Sequence, residues 1–238
     1  MNKEFYVGAS GFSYPSWKGR FYPKDLKNEE FLAYYSQHLG SVEINSSFYG
    51  APRPAMVDNW SSRTAETFRF SFKAPQQITH VLKLGNGSSD AAKRFSKLLE
   101  ALGPRRGPIL FQLPPYMKAD LQRLGEFLSG TSEIKDRVFE FRQESWFQDT
   151  TYRLLEKHGA SFCIAESEDL EPAFQVTSGM AYFRLRKDSY DAKAIDRWAK
   201  IIGDMAGDVQ TTYAYLRHDE TGENAILAQR LSEKISGE

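Results

Sequence analysis

The chain carries a single cysteine, Cys163, in 238 residues. No internal disulfide can form, and no cysteine-based zinc cluster can be built. An excess of one charge is also missing, since Lys and Arg total 31 and Asp and Glu total 31. A protein that coats nucleic acid needs a cationic surplus, so any such contact has to come from a local patch. No apolar run is long enough to cross a membrane. The start, Met1-Asn2-Lys3-Glu4, passes into a strand-like run without an apolar leader. These absences lead us to expect a soluble, cytoplasmic protein with no membrane contact, and nothing indicates a protein partner. Short catalytic motifs are scarce too: the sequence has no Walker loop, no Gly-x-Ser-x-Gly elbow and no His-Glu-x-x-His.

What the chain does have is an ordinary globular composition, 41% hydrophobic and 26% charged, with a high aromatic share of 14%. Strand-like runs alternate with helical patterns along its length. The strands are expected over 5–10, 41–48, 68–73, 109–113, 137–142, 161–167, 180–186 and 211–217. Helices are expected over 29–39, 54–63, 88–102, 119–128, 149–158, 191–205 and 224–235. Gly40, Gly103 and Gly159 are read as helix stops, and Ser88-Ser89-Asp90 and Asp149 as helix starts. The stretch 168–179 contains Pro172 and shows little helical period, so the helix after strand six is expected to be irregular or missing. Strands that alternate with helices imply parallel pairing through right-handed crossovers. Eight such units in roughly 250 residues match a single (β/α)8 TIM-type barrel, taken as one domain over 1–238. A doubly wound open sheet is the alternative, but Gly8-Ala9-Ser10-Gly11 is not the dinucleotide fingerprint it would need.

In such a barrel the site lies at the carboxyl ends of the strands. Polar residues there are Ser10, Glu43 and Asn45, Lys73, Gln112, Glu140 and Arg142, Glu166, Arg184 and Arg186, and finally Arg217-His218-Asp219. Strand parity sharpens the set. Glu43 and Asn45 oppose Val42 and Ile44, Lys73 opposes Phe70 and Phe72, Glu140 and Arg142 oppose Phe139 and Phe141, and Arg184 and Arg186 oppose Phe183 and Leu185. Charge on so many inward faces is costly unless the charges pair or meet a ligand. For any one of them a salt bridge in the barrel mouth is the simpler reading, whereas the set together points to a site.

Glu140 and Glu43 are the expected acid/base pair, being carboxylates on different strands. Lys73, Arg142 and Arg184 would bind and stabilise a phosphate or carboxylate. His80, His218, Asp219 and Glu166 complete the residues that could ligate a metal, but no motif indicates one and no cofactor is evident. Magnesium carried in on a substrate phosphate would leave no trace and stays open. Cys163, mid-strand, reads as packed rather than nucleophilic. The first loop is rich in aromatics, among them Phe12, Tyr14, Trp17, Phe21 and Tyr22. With Tyr49 and Trp146 these rings could stack on a base or sugar, or pack as a lid on the rim.

Five blocks of sequence carry a resemblance. They are Gly8-x-Ser10-Gly11-Phe12-Ser13-Tyr14-x-x-Trp17, Val42-Glu43-Ile44-Asn45 with Phe48-Tyr49, and Phe70-x-Phe72-Lys73-x-Pro75 leading to Ile78-Thr79-His80. The others are Gly107-Pro108-Ile109-Leu110-Phe111-Gln112-Leu113-Pro114-Pro115 and Glu140-Phe141-Arg142-x-x-Ser145-Trp146. Together they resemble the YecE-like family, a domain of unknown function. The resemblance implies a TIM-type barrel and hands over no reaction. The last third departs from the family pattern. Strand six ends Ala165-Glu166-Ser167 where the family has Ala-Asp-Ser. Strand seven ends Arg184-Leu185-Arg186-Lys187 for Arg-Leu-His-Gly, and strand eight ends Leu216-Arg217-His218-Asp219 for Phe-Asn-Asn-Asp. The last two changes add Arg186, Lys187 and Arg217 where barrels often hold phosphate. A more anionic ligand is one consequence. Pairing of these cations with Glu166, Asp188 and Asp219 is the simpler one.

The leading expectation is an enzyme acting on a small anionic substrate at the barrel mouth, with Asn45, Gln112, Arg186 and Arg217 among its contacts. A metal-assisted phosphodiesterase or nucleic-acid repair activity is the second reading, which would make nucleic acid the partner. A non-catalytic binder of a small ligand is the third.

Overall fold

The computed structural model describes residues 3–169 and 171–237. Eight parallel strands close into a barrel in sequence order: β1 (Glu4–Ala9), β2 (Ser41–Ile44), β3 (Arg69–Lys73), β4 (Arg106–Gln112), β5 (Arg137–Glu140), β6 (Ser161–Glu166), β7 (Met180–Leu185) and β8 (Thr211–Leu216). The last strand pairs with the first, Glu4 opposite Thr211 through Ala9 opposite Leu216. The helices are α1 (Phe31–His38), α2 (Pro54–Ser62), α3 (Ser88–Leu99), α4 (Leu121–Gly130), α5 (Asp149–Lys157), α6 (Ala192–Met205) and α7 (Glu223–Ser236). Among the described residues no helix stands between β6 and β7, as the sequence leads one to expect. Readings that rest on Met1, Asn2, Leu170 or Glu238 lie outside the described residues. None of the described helices is long and apolar enough to cross a membrane.

Alternation divides the core into two layers. Tyr6, Leu110, Val138, Cys163, Tyr182, Tyr213 and Tyr215 fill the barrel interior. Their neighbours in sequence, among them Val7, Phe111, Phe139, Phe162 and Phe183, point outward and meet the helices. Helix α6 shows how the second layer is made. Ile195, Trp198, Ala199 and Ile202 recur at helical spacing and are buried. Asp191 caps its first turn, accepting a hydrogen bond from the Ala194 amide at 2.6 Å.

Several element ends differ from expectation. Strand two stops at Ile44, because Asn45 turns into a single 3-10 turn over Ser46–Phe48. Gly40 is not a left-handed helix stop, whereas Gly159 is, at φ 59°. Gly103, at φ 56°, lies inside a 3-10 stretch over Glu100–Arg105 that continues α3. Asp90 and Asp149 sit in first turns rather than at the caps.

With two register pairs, as between β5 and β6, the seam between β1 and β2 is short: Gly8 lies opposite Ser41 and Ala9 opposite Val42. The buried Tyr35 of α1 reinforces it. Its hydroxyl accepts from the Ala9 amide at 2.7 Å and donates to the Ser41 carbonyl at 3.0 Å. A Cβ on Gly8 would overlap the Ser41 carbonyl oxygen and lie 2.9 Å from that same hydroxyl. Gly8→Ala is therefore expected to cost about 3 kcal/mol or to prevent folding, as overpacking against backbone does. Gly40→Ala meets no neighbouring atom within 4 Å and should stay within about 0.5 kcal/mol of wild type. Urea melts of the two variants check the pair.

Candidate functional site

At the carboxyl ends of the strands, Arg184 of β7 reaches across the barrel interior. It is 1% exposed. One terminal nitrogen donates to Glu43 Oε1 at 2.6 Å, and the other donates to Glu140 Oε2. Glu43 lies on β2 and Glu140 on β5, so a single guanidinium joins three staves. Glu43 gains further donors: Ser10 Oγ at 3.0 Å, Asn45 Nδ2 at 3.1 Å and, on its other oxygen, the Tyr182 hydroxyl at 2.7 Å. Glu140 Oε1 accepts from Arg142 Nε at 2.8 Å. The Arg184 Nε is buried without a hydrogen-bond partner.

Burial alone would push both carboxyls up. For Glu43 the Arg184 charge and its hydrogen bond outweigh that cost, with help from Arg186 and Tyr182, and the pKa falls below the usual range. For Glu140, Arg184, Arg142 and Arg186 together hold the carboxyl far below it. Both groups are fixed anions at neutral pH.

Above this floor sit half-buried groups. Lys73 lies at the end of β3 with Nζ 4.0 Å from the centre of the Phe48 ring. Burial and the Arg184 charge bring its pKa down to about 8. His80 comes from a π-type turn over Gln77–Val81. Its ring stands at a right angle to that of Phe48, centres 4.9 Å apart, and burial, Lys73 and Arg142 lower its pKa. Arg186, across the mouth on the loop after β7, donates to Ser10 Oγ at 3.3 Å. The nearby Arg184 charge and burial lower its pKa to about 10, which still leaves it charged. Among the described residues no carboxylate oxygen lies within ion-pairing distance, 4.0 Å, of Lys73 or Arg186. Lys73, Arg142, Arg184 and Arg186 thus face only Glu43 and Glu140, leaving a net positive mouth.

The structure gathers Glu43, Asn45, Lys73, Gln112, Glu140, Arg142, Arg184 and Arg186 at this mouth, with His80 at its edge. Gln112 stands beside Glu140 in register and is 6% exposed. Tyr14 joins them: its hydroxyl donates to the Ser10 carbonyl at 2.9 Å, its ring stacks on His218 at 4.9 Å, and burial raises its pKa to about 12. Four of the expected contacts belong elsewhere. Trp17 is fully buried, donating to the Asp219 carbonyl at 2.7 Å, and packs among Tyr14, Phe21 and Tyr22. Trp146 is fully buried against Phe141 and donates to the Met117 carbonyl at 2.7 Å. Neither indole offers a free face to a base or sugar. Tyr49 is 80% exposed and lines a cavity of about 420 Å³ between the loop after β2 and α3, away from the charge cluster. Arg217 pairs with Asp188 at the rim.

Glu166 also departs from expectation, because the parity that turns Cys163 and Ala165 inward turns it outward. Its carboxylate accepts from Trp198 Nε1 at 3.1 Å and the Tyr190 hydroxyl at 2.9 Å, and pairs with Lys187 at 2.8 Å. Of the three added cations, then, Lys187 and Arg217 are paired and Arg186 is not. Among the described residues no three His, Cys, Asp or Glu side chains gather as a metal site. Sequence reasoning passed over Tyr182, although its spacing of two from Arg184 puts it on the inward face.

Arg184→Met leaves the buried Glu43 without a paired cation and Glu140 with Arg142 alone, and should cost about 3–5 kcal/mol at pH 7. In the wild type both carboxyls titrate below their unfolded value of about 4.3, so their contribution is present above that pH and is lost as pH falls toward the folded values. In the variant burial raises the same carboxyls, and acid relieves them. Urea melts at pH 7 and pH 4.5 should show the gap between the two proteins narrowing in acid.

Comparison with known proteins agrees with this fold. The family described as "Protein of unknown function DUF72" matches residues 6–238. The UPF0759 protein YecE of Escherichia coli (strain K12) is 29% identical over 174 residues, 71% of this chain and 61% of YecE. The chain thus spans about three fifths of the length of that curated relative. The DUF72 family protein of Thermotoga maritima MSB8 is 27% identical, covers 98% of this chain and 99% of its own, and superposes with a TM-score of 0.85. The DUF72 family protein of Enterococcus faecalis V583 shares the fold at 17% identity, with a TM-score of 0.78 over 100% of this chain and 99% of its own. With the match running from the first strand to the last helix, this chain belongs to the DUF72 family.

Proposed function

We propose that the barrel mouth binds a small carboxylate- or phosphate-bearing substrate and that the protein is an enzyme acting on it by proton transfer. The observation that carries this reading is Arg186, a half-buried guanidinium with no carboxylate partner, beside Ser10 Oγ. Glu43 and Glu140 act on this charge only from beyond ion-pairing distance, and a half-buried charge with no direct pair is costly unless a ligand supplies one. The net positive mouth favours an anion, and guanidinium groups match carboxylate and phosphate geometry.

Glu43 and Glu140 act in this reading mainly as the fixed anions that hold Arg184 in place. Their lowered pKa values make them poor proton donors at neutral pH. Proton transfer is better matched to Lys73, whose pKa is brought down to about 8, with the His80 imidazole beside the same Phe48 ring. The burial of Trp17 and Trp146 takes away the stacking platforms that a nucleic-acid substrate would use.

The test is a thermal-shift screen of inorganic phosphate, phosphorylated metabolites and sugar acids. A ligand that binds only the native state raises its melting temperature by mass action. Arg186→Gln should weaken binding about 10- to 100-fold, the loss of one charge-assisted interaction of about 1.5–3 kcal/mol. Arg217→Gln, which breaks only a rim pair, should change affinity less than about twofold. Equal losses in the two variants would refute the assignment.

A further inference from the structure

Lys73 differs from the other mouth cations in how it is held. Its backbone is pinned on both sides: the Lys73 carbonyl accepts from Ser47 Oγ at 2.7 Å, and the Ala74 amide donates to the Leu110 carbonyl at 2.9 Å. Its amine rests on the face of Phe48 rather than on a carboxylate. His80 packs at a right angle to the same ring, with Nδ1 engaged by Thr79 Oγ1 at 2.8 Å. The Lys73 amine and the His80 ring thus share one aromatic neighbour. Arg186 lies on β7's side of the barrel, opposite β3 in an eight-membered ring of strands. A residue meant only to cradle an anion would keep its full charge, as the Arg186 guanidinium does. Lys73 is instead half-buried and surrounded by Arg184 and Arg142, with Glu43 and Glu140 already committed to Arg184. That setting favours the neutral, nucleophilic amine, and burial with the Arg184 charge lowers the pKa to about 8.

We propose that Lys73 forms an imine with the aldehyde or ketone group of a substrate whose carboxylate or phosphate rests on Arg186. This rests on the anion-binding reading above. The neutral Nζ attacks the carbonyl carbon, and the C=O electron pair moves onto oxygen. A proton passes from nitrogen to that oxygen, giving a carbinolamine. A second proton delivered to the hydroxyl, with His80 on the same Phe48 ring as its carrier, releases water as the nitrogen lone pair forms C=N. The product is the protonated imine, which draws electrons from the adjacent carbon and would ease proton loss or bond cleavage there. No oxidant or metal is needed.

Reductive trapping tests the proposal. The full chain is incubated with pyruvate or glyoxylate in one arm and with dihydroxyacetone phosphate or glycolaldehyde phosphate in the other. Borohydride is added, and peptides are mapped by mass. The expected result is one adduct per chain, on Lys73, in at least one arm, suppressed at least tenfold by inorganic phosphate. It should be absent from Lys73→Arg and Lys73→Met, and slowed at least tenfold in Arg186→Gln. Adducts spread evenly over surface lysines, or a Lys73 adduct indifferent to both phosphate and Arg186→Gln, would overturn the proposal. Stabilisation by the same anions, lost in Arg186→Gln but with no Lys73 adduct, would overturn the imine and leave the binding site standing. Neither stabilisation nor adduct in any arm would overturn both.

Discussion

A guanidinium buried across the middle of a barrel has to be neutralised where it lies. Arg184 leaves β7, crosses to β2 and β5, and meets Glu43 and Glu140 on the far side. Removing three charges from water costs several kcal/mol each, which close pairing and hydrogen bonds offset. The arrangement does more than balance charge. Each carboxylate is tied to a different stave, so the bridge fixes the spacing of β2, β5 and β7 at the end where loops diverge. It also occupies both anions, leaving Lys73 and Arg186 above it with none to spare.

The mouth was largely legible because strand parity is a rigid rule. Once Phe139, Phe141, Phe183 and Leu185 are read as helix-facing, Glu140, Arg142, Arg184 and Arg186 must face the axis, and they do. The same rule, applied evenly, would have turned Glu166 outward with Phe162 and Ile164 and brought in Tyr182 beside Arg184. What parity could not reach were the loops. Trp17 and Trp146 lie in segments with no period, so nothing in their spacing tells an exposed stacking ring from a buried one. Each is fixed by an indole N–H that finds a backbone carbonyl distant in sequence, Asp219 and Met117. Which cations pair is likewise a matter of three-dimensional reach. Arg217 meets Asp188 and Lys187 meets Glu166, whereas Arg186, between them in the mouth, meets only a serine hydroxyl.

The departures of strands seven and eight from the family pattern therefore do not act as a block. Two of the three added cations are rim pairs of the kind that contribute little. The third changes the electrostatics of the mouth. Together with Lys73 on Phe48 it gives the barrel two unlike cations on opposite sides, one suited to hold an anion and the other suited to lose its proton. That division of roles, built on a floor whose charges are already spent on one another, is the ground for proposing that the mouth is more than a structural ion-pair cluster.

The most direct measure of this account is anomalous diffraction from crystals soaked in selenate, a heavy-atom analogue of phosphate and sulfate. The account predicts the strongest anomalous peak in the mouth, within hydrogen-bonding distance of Arg186 and on the Ser10 side of the barrel. Peaks confined to the outer surface, with the mouth unlabelled and Arg186 turned onto a carboxylate, would contradict it.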